Sequence, residues 1–354
     1  MMKFIAYYLP QFHEVKENNE WWGNGFTEWT NVKKSKALFD GHQQPKIPLD
    51  GYYDLMEKET MVKQAEYAEK YGIYGMAFYH YWFEGRHLLE KPAENLLKWK
   101  DINMNFMFCW ANHDWIRSWN GTKELLLKQS YGKKKDWEDH FNYLLPFFKD
   151  PRYIKIDGKP AFGIYMIEQI PNVEEMIEMW NALAQKNGLP GVYIIEHALT
   201  PKYKESCPLS DAVIIRQPNM AMFKFCRVYN LSKRFKKIQP VIPNCYPLKI
   251  QYKKVMDNLI EETKRFNSNK TVFYGFFTGW DNTPRHGKRG SVIINQNSDD
   301  FKYYLHALVK LAQEKKVDYV FINAWNEWCE GMYLEPDKYS GNMFLNAIKS
   351  ESFQ

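Results

Sequence analysis

Asp318-Tyr-Val-Phe-Ile-Asn-Ala-Trp-Asn-Glu-Trp-Cys-Glu-Gly331 decides how the rest of the chain is read. Tyr319 to Ile322 is an apolar run of β-branched and aromatic residues, the pattern of a buried strand. Directly after it come Asn323, Trp325, Asn326, Glu327, Trp328 and Glu330. Carboxylates beside indoles suit a sugar pocket, because an indole covers the apolar face of a pyranose ring and desolvation by such walls raises the pKa of one acid above another. In an extended strand, Glu327 and Glu330 would point to opposite faces. Both serve one pocket only if the chain turns after Glu327, as it does at the rim of a barrel. The competing structural reading is an acidic first turn of the last helix, where the helix dipole favours carboxylates.

Outward from this stretch, strand-like and helix-like segments alternate. Phe4 to Leu9 is expected as the first strand, ended by Pro10, which cannot donate to a ladder. Gln11 to about Asp54 is long and turn-rich, yet too aromatic for a disordered linker; it predicts an ordered rim loop. Further strands are expected over Tyr74–Tyr81, Asn105–Trp110, Ala161–Tyr165, Val192–Glu196, Ala212–Arg216 and Thr271–Phe277, the fourth following a hairpin turn at Asp157-Gly158. Helices are expected over Met56–Tyr71, Pro92–Trp99, Asp136–Phe148, Glu174–Lys186, Ile250–Phe266 and Asp299–Glu314. Eight strands alternating with helices predict an α/β fold, a (β/α)8 TIM barrel forming a single domain over residues 1–354, with an irregular excursion at about 219–247. In such barrels active sites lie at the C-terminal ends of the strands.

Composition narrows the function. The 354 residues carry a net charge of +6, but basic residues are interspersed with acids and the longest basic run is Lys133 to Lys135, which argues against a nucleic-acid surface. Aromatic residues make up 17% of the chain, including 13 tryptophans and 24 tyrosines, more than a core alone demands. The five cysteines are odd in number and form no C-x-x-C pair, so no disulfide framework or structural zinc site is expected, and a reducing compartment fits. The first apolar run is too short for a signal peptide and no stretch approaches about 18 apolar residues, so a cytoplasmic protein without a membrane span is expected. No H-E-x-x-H spacing and no glycine-rich phosphate loop occurs, so neither a metal nor a cofactor is expected.

The barrel rule has a sequence-level test, since polar and aromatic residues should collect where strands end. The first strand ends in Tyr7, Tyr8, Gln11 and His13, the second in Tyr79 to Trp82, the third in Trp110, Asn112, His113, Asp114 and Trp115, and the seventh runs into Gly279-Trp-Asp-Asn-Thr-Pro-Arg285. A lone histidine such as His80 is more often a satisfied core group, and Asp281 could simply cap a turn. Recurrence at four strand ends favours an oligosaccharide or polysaccharide site. The candidate contacts are Tyr8, His13, Trp22, Glu28, Trp29, His80, Trp82, Trp110, Asn112, Asp114, Trp280, Asp281, Arg285, Asn323, Trp325 and Asn326, with Glu327 and Glu330 as the catalytic pair.

Seven motifs carry a further resemblance: Tyr7-Tyr-Leu-Pro-Gln-Phe-His13, Trp21-Trp-Gly23, Gly25-Phe-Thr-Glu-Trp-Thr-Asn-Val32, His80-Tyr-Trp-Phe83, Trp110-Ala-Asn112, Gly279-Trp-Asp-Asn-Thr-Pro-Arg285 and Asn323-Ala-Trp-Asn-Glu-Trp328. In this order they resemble the WbsX-type proteins found among bacterial polysaccharide biosynthesis proteins, whose domain is similar to glycoside hydrolase family 99, the endo-α-mannosidase family. The resemblance spans roughly Lys3 to Asp337. It implies that Glu327 deprotonates the substrate 2-hydroxyl and that Glu330 is the acid/base at the leaving oxygen, within a Glu-Trp-His-Glu-Gly motif in which Cys329 replaces the histidine. Trp110-Ala-Asn-His-Asp-Trp115 also departs from the Trp-Ala-Asn-Glu-Asn-Trp usual there. A glycoside hydrolase or transglycosylase on a bacterial surface glycan or its precursor is the leading expectation, against a glycosyltransferase and a non-catalytic glycan-binding barrel. A scheme in which two carboxyl groups move both protons needs no metal. Dialysis against a strong chelator is therefore expected to leave turnover unchanged; activity lost to the chelator and restored by zinc or calcium would overturn that scheme.

Overall fold

The computed structural model describes residues 2–117, 124–225 and 247–353. Its centre is a ring of eight parallel strands: β1 (Lys3–Tyr8), β2 (Ile73–Phe83), β3 (Phe106–Trp110), β4 (Lys159–Ile164), β5 (Tyr193–Ala198), β6 (Ala212–Ile215), β7 (Thr271–Phe277) and β8 (Tyr319–Asn323). Each strand pairs with the next in chain order. The ring closes where β8 meets β1, in register from Lys3↔Tyr319 to Ala6↔Ile322. This is a (β/α)8 TIM barrel. The strands are apolar on both faces because one face fills the barrel and the other is covered by helices; β3 and β8 are buried at every position.

Around the ring run α1 (Lys16–Trp22), α2 (Glu28–Lys34), α3 (Lys58–Tyr71), α4 (Lys91–Lys98), α5 (Lys134–Phe148), α6 (Val173–Lys186), α7 (Tyr252–Arg265), α8 (Ser298–Glu314) and α9 (Met343–Ser352). In α5, Trp137, Phe141, Leu144 and Phe148 recur at helical spacing and are buried, forming the stripe that packs the helix against the sheet. The expected hairpin before β4 is present: Lys155–Ile156 pairs antiparallel with it across Asp157 (φ 52°) and Gly158 (φ 76°), the left-handed pair that a two-residue turn requires. The second strand runs past the expected Tyr81 to Phe83, because its end forms a hairpin with Arg86–Leu88 beyond the ring. Of the expected excursion, 219–225 are helical. Residues 226–246, with Cys226 and Cys245, lie outside the described residues.

The rim segment between β1 and α3 is ordered and fastened to the chain that follows β8. Asn326 accepts from the Leu9 N–H (2.7 Å) and donates to its carbonyl (3.0 Å). Backbone bonds join Leu49 to Pro336 (2.8 Å) and Lys338 to Ile47 (3.0 Å). The buried Glu335 accepts from Tyr53 (2.7 Å), Gln64 (2.6 Å), Trp325 (2.9 Å) and Trp328 (2.7 Å), so one carboxylate ties the rim, α3 and the stretch after β8 together.

Close strand approach leaves no room for a side chain at Gly275. A Cβ on Gly275 of β7 would lie 2.0 Å from the Ile215 carbonyl oxygen and 3.2 Å from the Gln217 nitrogen. Backbone cannot rotate away as a side chain can. Gly275→Ala is expected to destabilise the barrel by about 3 kcal/mol, the scale of overpacking at a rigid site; denaturant titration with an unchanged midpoint would contradict this contact.

Candidate active site

Beyond Asn323 the chain turns as the glutamate spacing requires. Asn326–Glu327 pairs antiparallel with Met332–Tyr333, a single 3-10 turn spans Trp328–Glu330, and Gly331 (φ 61°) reverses the direction. Glu330 thus belongs to this turn, whereas the last helix begins only at Met343. After β7, a one-turn helix over Thr283–His286 carries Arg285, and the Asp281 N–H donates to the Glu330 carbonyl (2.7 Å), docking one strand end on the other.

Arg285 is the hub. Its Nη1 donates to Glu330 Oε1 at 2.6 Å and its Nη2 to Glu28 Oε2 at 3.0 Å, while Glu327 Oε2 stands 3.8 Å from Nη2. Glu28 is set by the first turn of α2, whose Glu28 N–H bonds the Gln11 carbonyl (3.2 Å). Cys329 is fully buried and its thiol donates to the Glu28 carbonyl (3.3 Å). This thiol therefore supports the site from behind.

The two glutamates differ in surroundings. Glu327 is 8% exposed and its Oε2 has no hydrogen-bond partner. Burial, and next the nearby Glu330 carboxylate, raise its pKa to about 8 against the opposing pull of Arg285. Glu330 is more accessible and held by the guanidinium. One carboxyl that keeps a proton near neutrality beside one paired with a cation is the asymmetry on which acid/base chemistry depends.

Both line a cavity of about 430 Å3 at the C-terminal ends of the strands, within the usual range of about 300–1,000 Å3 for small-molecule sites. Trp22, Phe26, Trp115 and Trp280 supply apolar walls, with Glu28, Asp114, Arg285 and Asn323 among the polar groups. A hollow of about 610 Å3 includes strand-start residues Tyr193, Thr271 and Tyr319, at the opposite end of the barrel. The smaller cavity is the candidate site because it holds the carboxylate pair.

Of the sequence candidates, the structure brings Trp22, Glu28, Asp114, Trp280, Arg285, Asn323, Glu327 and Glu330 to this cavity. Ten others do not line it: Tyr8, His80, Trp82 and Trp110 lie on the other face of their strands, which alternate, and most of the rest are anchored to the rim and backbone. Tyr8 donates outward to Gln64 of α3 (2.7 Å). His80 meets His140 of α5 (2.8 Å between Nε2 atoms), and burial lowers His80 to about 3 and holds His140 well below the ordinary imidazole value, so both are neutral. Trp82 donates to Asp136 (3.1 Å) and Trp110 to the Trp82 carbonyl (3.3 Å). Asn112 brackets the Met166 backbone (2.8 Å each way), and Trp29 donates to the Tyr53 carbonyl (2.7 Å). Asp281 accepts from His42 (2.8 Å), Gln44 (2.7 Å) and Thr283 (2.6 Å), so it organises the rim. Trp325 and Asn326 are the buried anchors described above, and His13 is buried outside the cavity. The cavity instead shows Tyr79, Tyr81, Tyr165, Arg216 and Asn219, none of them chosen from sequence. The signal for Tyr79 and Tyr81 was parity with Ala77, opposite to His80 and Trp82. Arg216 was visible only as a charge ending an apolar strand.

The profile of the glycosyltransferase WbsX family matches residues 4–348. The "Uncharacterized protein WxcX" of Xanthomonas campestris pv. campestris is 30% identical over 355 residues, covering 98% of this chain and 49% of that protein, so the chain spans about half the length of the curated relatives it matches. A solved structure described as a glycoside hydrolase-like protein aligns with TM-score 0.63 at 14% identity, over 99% of this chain and 93% of its own. The GH99 endo-alpha-mannosidase of Bacteroides thetaiotaomicron aligns with TM-score 0.57 at 16% identity, over 98% and 96%. No helix among the described residues is long and apolar enough to cross a membrane.

The raised Glu327 pKa has a consequence for stability. Its folded value, about 8, exceeds the reference 4.5. Such a group favours the fold fully below the unfolded value and loses that contribution as pH rises to the folded one. Glu327→Gln is expected to be near neutral in stability at pH 4 and stabilising by a few kcal/mol at pH 9. Equal melting shifts at both pH values would show that Glu327 ionises freely in the fold.

Proposed function

Because the chain belongs to the glycosyltransferase WbsX family, we propose that its barrel works on glycosidic bonds of α-linked, manno- or rhamno-configured glycans of a bacterial surface polysaccharide or its precursor. The observation that carries this reading is that Glu327 and Glu330 reach one guanidinium in a tryptophan-walled cavity. Wide indole faces cover sugar rings, and two carboxyl groups in unlike environments can hold and release protons in turn.

In the proposed chemistry Glu327 takes the proton of the 2-hydroxyl. The freed oxygen attacks C1 from the face opposite the leaving group, and the C1–O bond breaks as Glu330 gives its proton to the departing oxygen. Water or an acceptor hydroxyl, deprotonated by Glu330, then opens the 1,2-anhydro ring at C1, and Glu327 returns its proton to the C2 oxygen. Configuration at C1 is retained, and the acceptor decides between hydrolysis and transfer. Glu330 must carry a proton at the first step, so its contact with Arg285 loosens when substrate enters. The raised pKa of Glu327 favours a second reading in which the roles are exchanged and Glu327 is the acid.

Kinetics with two leaving groups distinguishes the two readings. Under the first reading Glu330→Gln retains activity on activated aryl glycosides and loses it on alkyl glycosides, whereas Glu327→Gln loses about 10²–10⁴-fold on both. Under the exchanged reading the leaving-group sensitivity moves to Glu327→Gln. Under either reading kcat/KM should fall as pH rises through about 8, because the pair then holds no proton to give the departing oxygen. A 2-deoxy substrate turned over at the normal rate would remove the 2-hydroxyl from the mechanism. Near-normal turnover by both folded variants would leave a glycan-binding barrel.

A further inference from the structure

Arg216 is the first residue past β6 and lines the same cavity as Glu327. It is 3% exposed, with its guanidinium 3.7 Å from the ring centre of Tyr7 and 5.4 and 5.7 Å from those of Tyr165 and Tyr79. One N–H donates to the Tyr79 hydroxyl, while Nε and Nη1 have no partner. Among the described residues, no carboxylate lies within ion-pair distance of Arg216. Arg285, also largely buried, has three.

The titratable groups around Arg216 supply no counter-charge. Burial pushes the phenols of Tyr7, Tyr79 and Tyr165 up, so they stay protonated. It also lifts the Cys109 thiol to about 12 and holds His197 well below the ordinary imidazole value. Glu327, which feels Arg216, is itself largely protonated near neutrality. An arginine does not shed its proton in a protein, so the positive charge persists. Three aromatic faces offset part of its lost hydration, but a buried charge without an opposite partner remains destabilising. A site that keeps such a charge beside an open cavity is suited to a ligand that brings the opposite one.

We propose that Arg216 and the Tyr79 hydroxyl form a subsite for an anionic substituent on the sugar, either the carboxylate of a uronic acid or a phosphate ester. Tyr79 accepts from Arg216 and so has its own proton to donate. This inference rests on reading the cavity as a glycan site, and it makes the substrate an acidic glycan or a phosphorylated sugar.

The test is equilibrium binding by NMR titration at low salt, with a matched set of probes. Methyl α-mannoside is the neutral member, methyl α-mannosiduronate carries the carboxylate, and mannose 1-phosphate and mannose 6-phosphate carry the ester. Wild-type protein is expected to bind at least one anionic probe about tenfold or more tightly than the neutral one, the scale of a charge-assisted contact. Preference for the uronate identifies an acidic sugar, and preference for a phosphate identifies a phosphorylated one. Arg216→Met should abolish the preference, keep neutral binding and melt no lower than wild type, because it removes an uncompensated buried charge. Arg216→Lys should keep most of the preference, which preserves the comparison if the methionine variant does not fold. Equal binding of all probes, binding of none, or a variant that melts lower with the preference intact would overturn the proposal. Since no turnover is read, a charge preference without catalysis leaves this inference standing and removes the glutamate mechanism. Equal probe binding with catalysis does the reverse.

Discussion

One guanidinium facing three carboxylates is the constraint around which the site is arranged. Arg285 from the β7 end meets Glu28 from the rim segment, Glu330 from the turn after β8 and, at longer range, Glu327. One positive charge does not balance three carboxylates, so the buried acid with the poorest hydrogen bonding retains its proton. That acid is Glu327. The same contacts are mechanical: Arg285 joins three segments, and the Cys329 thiol and the Asp281–His42 bond brace two of them. A change at any of these groups reaches the proton distribution without touching either glutamate.

Glu335 shows why burial alone does not make a carboxylate reactive. It is as deeply enclosed as Glu327, and burial raises its pKa to about 7. Yet it accepts four hydrogen bonds from rigid partners, so it serves as an anchor even though it borders a cavity of about 170 Å3 beside α3. Glu327 has the burial without the donors. A buried acid with an open coordination position is able to exchange its proton with a substrate.

Much of this was legible in the chain. Strand and helix periods alternate plainly enough for the ring order to follow, and the acidic and aromatic residues past Ile322 and Gly279 mark the rim because nothing in a core calls for them. The faces were harder. At the end of β2, the run Tyr79-His80-Tyr81-Trp82 carries aromatics at both parities, so composition does not say which pair looks inward; only the packing of His80 on His140 and Trp82 on Asp136 resolves it. Asp281 and Asn326 looked like ligand contacts because they are polar in a motif, but they bond to the rim and to the Leu9 backbone just past β1, more than two hundred residues away. Arg216 showed only as a charge at the end of an apolar strand, since its distinguishing property is the absence of a paired acid in three dimensions.

The thiol bond from Cys329 to the Glu28 carbonyl links positions 301 residues apart, and the Arg285–Glu28 pair links positions 257 apart. Chain emerges from the ribosome in order, so Glu28 leaves the exit tunnel long before anything that will neutralise or position it. Loop-closure entropy makes contacts of that span late ones in folding. The ring itself closes over a longer span still, Lys3 on Tyr319, so the wall and the candidate site are completed together, when the two ends of the chain find each other. A nascent chain that stops short of β8 therefore holds Glu28 with neither a closed barrel nor the two glutamates that complete the cavity.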